Sequence, residues 1–293
     1  MHSISPSGSS KLSGLITLSK PRILVMVVLM TAAGYFLGAQ TIEPVWTFLM
    51  TLVGTAISSA GAAALNNYLE RDCDLEMNRT KMRPIPQGIV SPGEALTFGW
   101  VAALLGVAVL TWQVNLLTGF LSLLTTFLYV IVYTPLKRIT WWNTVVGAVP
   151  GALPPMGGWA AATGELGLGA WIVFLILFVW QHPHFYAIAW MYREDYERGG
   201  FKMLPVVYPD GIRTFRQIIG FSIVLIPVSL LPYLYEMAGQ IYAIGMLVLS
   251  VGMLAIAIKA WRSHTVSDAR ALLQASVIYL PLFFALILCD STI

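Results

Sequence analysis

TFLMTLVGTAISSAGAAALNNYLERDCD, Thr47 to Asp74, is the stretch on which the reading of this chain turns. Its first part, through Leu65, carries no charge and is long enough to cross a bilayer core as a helix, which takes about twenty apolar residues. Charge then arrives abruptly. Between Glu70 and Arg83 stand four acidic residues (Glu70, Asp72, Asp74, Glu76) and four basic ones (Arg71, Arg79, Lys81, Arg83). A membrane helix whose mouth concentrates both signs calls for a chemical reason.

The surrounding composition agrees with a membrane helix. Of 293 residues 57% are hydrophobic and 11% charged, and the mean hydropathy is +0.75, where soluble domains carry about 25% charged residues. Nine apolar spans are expected, near 23–40, 44–66, 95–113, 115–133, 142–162, 168–190, 217–235, 239–260 and 271–289. They make an all-α polytopic bundle, one domain over 23–293 behind a cytoplasmic tail of 1–22. With nine spans, all 17 Lys and Arg fall on one side: Lys11, Lys20 and Arg22 in the tail, the remainder in even-numbered loops. Basic residues mark the cytoplasmic side of short loops. The N-terminus is therefore expected in the cytoplasm and the C-terminus outside, in a bacterial cytoplasmic membrane. The net charge of +3 then reflects insertion, not nucleic-acid binding. Cys73 and Cys289 lie on opposite faces and cannot pair with each other.

Small residues recur at four-residue spacing: Gly34 and Gly38; Gly54, Ser58 and Ala62; Gly147 and Gly151. Such stripes let helix backbones approach closely. The two long cytoplasmic loops also echo each other. Asp74 is followed by Lys81, Met82 and Pro84, and Asp195 by Lys202, Met203 and Pro205 at the same offsets.

Asn66, Glu70 and Asp74, at i, i+4 and i+8, share one face of a helix. Three oxygen-bearing side chains suit Mg²⁺, which keeps waters and substrate phosphates in its shell. Arg79, Lys81 and Arg83 supply what carboxylates cannot, since Arg pairs with phosphate through a planar fork. Acid, base and Mg²⁺ at one place are what a diphosphate needs. A salt-bridged helix end would show the same pattern, and spacing alone leaves both readings open. Lys137 and Arg138, in YTPLKR, are either further phosphate contacts or positive-inside anchors. At the end of span six, Tyr192, Glu194, Asp195 and Glu197 crowd together. An unbroken helix would put His184 on the face of Asp195 and about 16 Å deeper, with His182 roughly opposite. Ionisable residues inside a span are functional candidates, although each His also suits a hydrogen bond to a neighbouring helix.

NNYLERDCD resembles the N-D-x-x-D-x-x-x-D signature of UbiA-type intramembrane prenyltransferases, with Asn67 and Glu70 in place of two aspartates. LSKPRI, MNRTKMRPIP, YTPLKR, GALPPMGGWAAATG, WQHPHF and MLPV together resemble the heme-farnesylating branch of that family, over about Leu18 to Leu288. The resemblance implies a nine-helix bundle with a central cavity open to the cytoplasmic side. It implies Mg²⁺ and farnesyl diphosphate at two acidic clusters, with heme b as acceptor substrate. Asn66, Glu70 and Asp74 match the first cluster, and Asp195 with Tyr192 takes the place of the second. There relatives often read D-x-x-x-D, whereas Met191 stands four before Asp195. Glu194, Glu197 and Tyr196 stay open as alternatives to Asp195. Arg79, Lys81, Arg83, Lys137 and Lys202 form the expected diphosphate set. His184 and His182 are the expected heme-binding residues, His184 to ligate or orient the iron, and Tyr68, Tyr133 and Tyr192 offer aromatic faces. A heme-handing partner, such as a heme A synthase or terminal oxidase assembly, fits the poor solubility of heme. Two other readings remain: a prenyltransferase for another aromatic or quinone-precursor acceptor, and an ion-coupled transporter. Transporters place polar groups near the midplane, whereas the acidic groups here gather at one face.

Overall fold

The computed structural model describes residues 10–292, all of its regular structure helical. Residues 1–9 of the expected tail lie outside the described residues. The rest of that tail folds as α1 (Lys11–Leu18), started by Ser10, whose hydroxyl accepts the Ser13 N–H. Lys20, with a left-handed backbone (φ 50°), turns the chain into α2 (Pro21–Ala39).

α3 (Val45–Glu76) runs through the charged stretch without interruption. It continues ten residues past the expected boundary, because NNYLERDCDLE contains neither Gly nor Pro and includes the good helix formers Leu, Glu and Arg. At about 1.5 Å per residue its 32 residues span roughly 48 Å, well beyond a hydrocarbon core of about 30 Å. The charged end of α3 therefore projects past the apolar layer. α4 (Pro92–Gln113) opens with a capping box between Ser91 and Glu94.

The fourth span is a composite rod, α5 (Leu116–Thr126), a π-helical turn (Phe127–Tyr133) and α6 (Thr134–Ile139). Pro135 has no N–H to give and its ring crowds the preceding turn. The chain widens there instead, and the Thr134 N–H bonds the Tyr129 carbonyl five residues back. α7 (Asn143–Thr163) and α8 (Leu168–Met191) follow, then the short α9 (Arg193–Arg198) and α10 (Leu204–Val207). α11 (Ile212–Ser229), α12 (Leu231–Leu234), α13 (Gln240–Ser263) and α14 (Val266–Cys289) complete the bundle.

Among the described residues, eight helical stretches are long and apolar enough to cross a membrane. The expected fifth span is present as α7 but is not among them. Twelve of its 21 residues are Gly, Ala or Pro, a composition suited to burial between helices rather than to lipid contact. Two of the three small-residue stripes pack backbone against backbone as their spacing predicts, while Gly147 and Gly151 face side chains, the Tyr133 ring and the Gln181 amide. A Cβ on Gly61 would strike the backbone of Ala103 and Gly99, and one on Gly106 the backbone of Ser58 and Gly54. Gly34 and Gly158 bring α2 and α7 equally close. The second half is filled by large side chains, with Tyr186, Phe215, Tyr242 and Phe283 fully buried among α8, α11, α13 and α14.

Gly61→Val forces two backbones apart, so it is expected to cost about 1–3 kcal/mol or more and to lower the thermal midpoint in detergent by several degrees. Gly252→Ala, where a Cβ meets nothing within 4 Å, should leave the midpoint unchanged or slightly raised.

Candidate functional site

Asn66, Glu70 and Asp74 line one face of α3 and are all buried, at 0%, 5% and 0% exposure. A buried carboxylate must be paired or it neutralises. Each of these groups has a basic partner from a different part of the chain. Lys137 Nζ donates to Glu70 Oε1 at 2.6 Å. Arg83 Nη1 donates to both oxygens of Asp74, at 2.9 and 2.7 Å, and lies 3.8 Å from Glu70 Oε2. Lys20 Nζ donates to Asn66 Oδ1 at 2.6 Å, and Asn66 Nδ2 donates to Thr134 Oγ1 at 3.0 Å. Burial, with Arg83 beside it, brings the Lys20 ammonium down to about 7. Two carboxylates thus face three basic side chains.

The π-helical turn aims one of those cations. Widening the helix before Pro135 stacks Tyr129 on Tyr133, ring centroids 5.8 Å apart, and places Lys137 Nζ 4.5 Å from the centroid of Tyr133. Lys137 is thereby held between an aromatic face and a carboxylate. Tyr129 and the Lys20 contact are absent from the sequence-derived set. The T-P of YTPLKR is the signal that marks the turn; Lys20 has no local signal, because its partner lies 46 positions away.

The second acidic end is built differently. Tyr192 leaves helical geometry (φ −112°, ψ 22°), which ends the unbroken helix expected to align His184 with Asp195. Asp195 instead starts a new turn and binds the loop after α3. Its Oδ1 accepts the Asn78 N–H at 3.1 Å and its Oδ2 the Arg79 N–H at 3.3 Å, while Arg198 donates to Oδ1. Burial pushes this carboxyl up, but the Arg198 guanidinium and the two N–H groups outweigh it and hold it below the usual carboxylate range. Arg79 lies over the rings of Tyr192 and Tyr196, 5.3 and 5.7 Å from their centroids. The two echoing loops are therefore fastened to each other. The Lys202 N–H extends the fastening, donating to the Lys137 carbonyl at 2.6 Å, while its side chain is exposed. Lys81 is exposed as well, with Nζ on Asn78 Oδ1 at 2.9 Å. Glu194 pairs loosely with Arg193, 3.9 Å away, and Glu197 is exposed.

The two histidines face different neighbours. His184 Nδ1 is 2.8 Å from Ser276 Oγ of α14, and its ring stacks on Trp180. His182 is fully buried, with Nδ1 2.7 Å from the Phe178 carbonyl and its face on Phe221 at 3.7 Å between centroids. Its Nε2 has no partner among the described residues.

Among the described residues no three His, Cys, Asp or Glu side chains converge as a ready metal cage. The donors at the α3 end are the oxygens of Asn66, Glu70 and Asp74. That all-oxygen set fits a hard divalent cation that completes its shell with water and phosphate.

Residues 27–287 match the UbiA prenyltransferase family. The chain is 46% identical to the protoheme IX farnesyltransferase of Solibacter usitatus (strain Ellin6076) over 94% of its length and 97% of the relative's. It is 48% identical to the protein of the same name from Salinibacter ruber (strain DSM 13855 / M31), again over 94% and 97%. In fold it is similar to a UbiA homolog from Archaeoglobus fulgidus solved bound to GPP and Mg²⁺, with a TM-score of 0.71 at 17% identity, covering 94% of this chain and 99% of that one.

Lys137→Met leaves Glu70 buried without its nearest cation and is expected to cost about 3–5 kcal/mol of stability. Glu70→Gln in the same chain should recover most of that loss, read as the thermal midpoint across the four members of the cycle. Independent, additive losses would mean that the pair does not act as a unit.

Proposed function

The chain belongs to the UbiA prenyltransferase family, and from that membership we propose that it transfers the farnesyl group of farnesyl diphosphate to the 2-vinyl group of heme b, with addition of water, giving heme O and diphosphate. The observation that carries the reading is the pairing of buried Glu70 with Lys137 and of buried Asp74 with Arg83, beside Lys20. Near-full-length similarity to proteins named protoheme IX farnesyltransferase supports heme as the acceptor.

Asn66, Glu70 and Asp74 are the residues that would hold Mg²⁺, with Asp195 as the donor from the second cluster; the ion would supply charge neutralisation to the diphosphate. Arg83, Lys137 and Lys20 bind the diphosphate oxygens, and Arg79, Lys81 and Lys202 extend the positive field around them. As the bond between farnesyl C1 and oxygen breaks, its electron pair leaves with the diphosphate, where these cations stabilise the growing charge. The π electrons of the vinyl group form the new carbon–carbon bond to C1. The cation left beside the porphyrin ring is captured by water, which releases a proton. Tyr129 and Tyr133 present aromatic faces next to Lys137, where they can stabilise allylic cation character. Tyr192 does the same from the second cluster. His184, oriented by Ser276, is the heme contact; His182, buried with its ring on Phe221 of α11, is the second heme-binding candidate.

In this reading the chain crosses a bacterial cytoplasmic membrane nine times, with α7 as the fifth span. The N-terminus and the cavity mouth face the cytoplasm and the C-terminus lies outside. A single domain covers 23–293 behind the segment 1–22. A heme-handing partner receives the product, because heme O is poorly soluble.

Membranes enriched in the protein, given heme b, farnesyl diphosphate and Mg²⁺, should yield a heme heavier by a farnesyl group plus water in mass spectrometry. The gain should be lost in EDTA. Unmodified heme from membranes that prenylate a different aromatic or quinone acceptor would overturn the heme assignment.

A further inference from the structure

Asn67 follows the first carboxamide of the α3 stripe but points away from it. Its Nδ2 donates to the Leu18 carbonyl at 3.1 Å and to the Ala63 carbonyl at 2.8 Å. Ala63 is one helical turn back on α3, and its carbonyl also has the helical N–H of Asn67. Leu18 is the last residue of α1, and the carbonyls at a helix end have no partner within their own helix. Among the described residues, the Asn67 amide is the protein donor that reaches the Leu18 carbonyl.

Two residues further on stands Lys20, in the left-handed region at φ 50° and ψ 64°. A residue with a Cβ holds that conformation only where its surroundings impose it. Leu18, 1% exposed against Ala64 and Val90, and the Asn67 bond fix one side of this hinge. Pro21, at the start of α2, fixes the other. The product of the hinge is the Lys20 ammonium on Asn66 Oδ1. An aspartate at 67, which the family signature carries there, has the same shape but no amide hydrogens to donate.

We propose that Asn67 is a positioning residue: by bonding the last carbonyl of α1 it sets the hinge that delivers Lys20 to the carboxylate site. The effect on catalysis rests on the prenyl-transfer reading; the effect on Lys20 does not. Full-length protein is acylated with acetic anhydride, and Lys20 is compared with exposed Lys81 and Lys202 by peptide mass spectrometry. Lys20 is expected to be protected in the wild type. In Asn67→Leu and Asn67→Ala its labelling relative to Lys81 should rise about tenfold, as for a segment released by local opening, in protein that still unfolds cooperatively. Asn67→Ala, which adds neither bulk nor charge, carries the test if Asn67→Leu fails to fold. Unchanged protection of Lys20 in a folded variant overturns the proposal.

In turnover, Asn67→Leu should lower kcat/KM for farnesyl diphosphate with kcat itself falling, because Lys20 faces the charge that grows on the leaving diphosphate. In a Lys20→Met background it should add nothing, because it acts through Lys20. Additive losses overturn the proposal. A wild type that turns over no heme refutes the reaction instead, and leaves the labelling result to decide the hinge.

Discussion

Glu70 and Asp74 are buried carboxylates at the end of a membrane helix, and most of the architecture at that end of the bundle follows from the need to keep them charged. An isolated carboxylate in such a place costs several kcal/mol unless cations and hydrogen bonds surround it. The chain brings a cation from three separate places: Arg83 from the loop after α3, Lys137 from the composite fourth rod, and Lys20 from the α1–α2 hinge. Each arrives by a local departure from regular helix, a loop, a π-helical turn and a left-handed hinge. Irregular backbone of this kind is expected where a site rather than a fold dictates geometry.

The bundle makes that precision possible by packing backbone against backbone. Where Gly61 meets Ala103 and Gly34 meets Pro155 there is no side chain to rearrange, so the helices that carry the site hold a fixed spacing. Asp195 adds a second constraint at the membrane face. By accepting the N–H groups of Asn78 and Arg79 it ties the second half of the chain to the loop that supplies Arg83. In the proposed reaction, release of diphosphate without admission of bulk water would be served by such a rigid frame.

Much of this was legible in the residues themselves. The i, i+4, i+8 spacing placed Asn66, Glu70 and Asp74 on one face, and the glycine stripes marked the close helix contacts. What escaped was what depends on partners distant in the chain. Lys20 reads as an insertion charge until Asn66 is folded onto it. Tyr129 reads as a membrane aromatic until the turn before Pro135 stacks it on Tyr133. The continuous helix from His184 to Asp195 was the reasonable expectation for a run without Gly or Pro beyond Pro183; Tyr192 ends it because Asp195 is held by the α3 loop. α7 falls short of a lipid-facing span for the same kind of reason, since its small residues serve neighbouring helices.

The claim on which the account stands is that the buried α3 carboxylates and their cations form the diphosphate site. Equilibrium binding of radiolabelled farnesyl diphosphate tests it most directly, measured with and without Mg²⁺ in the wild type and in Asp74→Asn. The account predicts Mg²⁺-dependent binding in the wild type, weakened by about tenfold or more in Asp74→Asn, a loss of about 1.4 kcal/mol or greater, in protein that still inserts and folds. Equal Mg²⁺-dependent binding in both would contradict it and leave the charged end of α3 as a structural salt-bridge cluster.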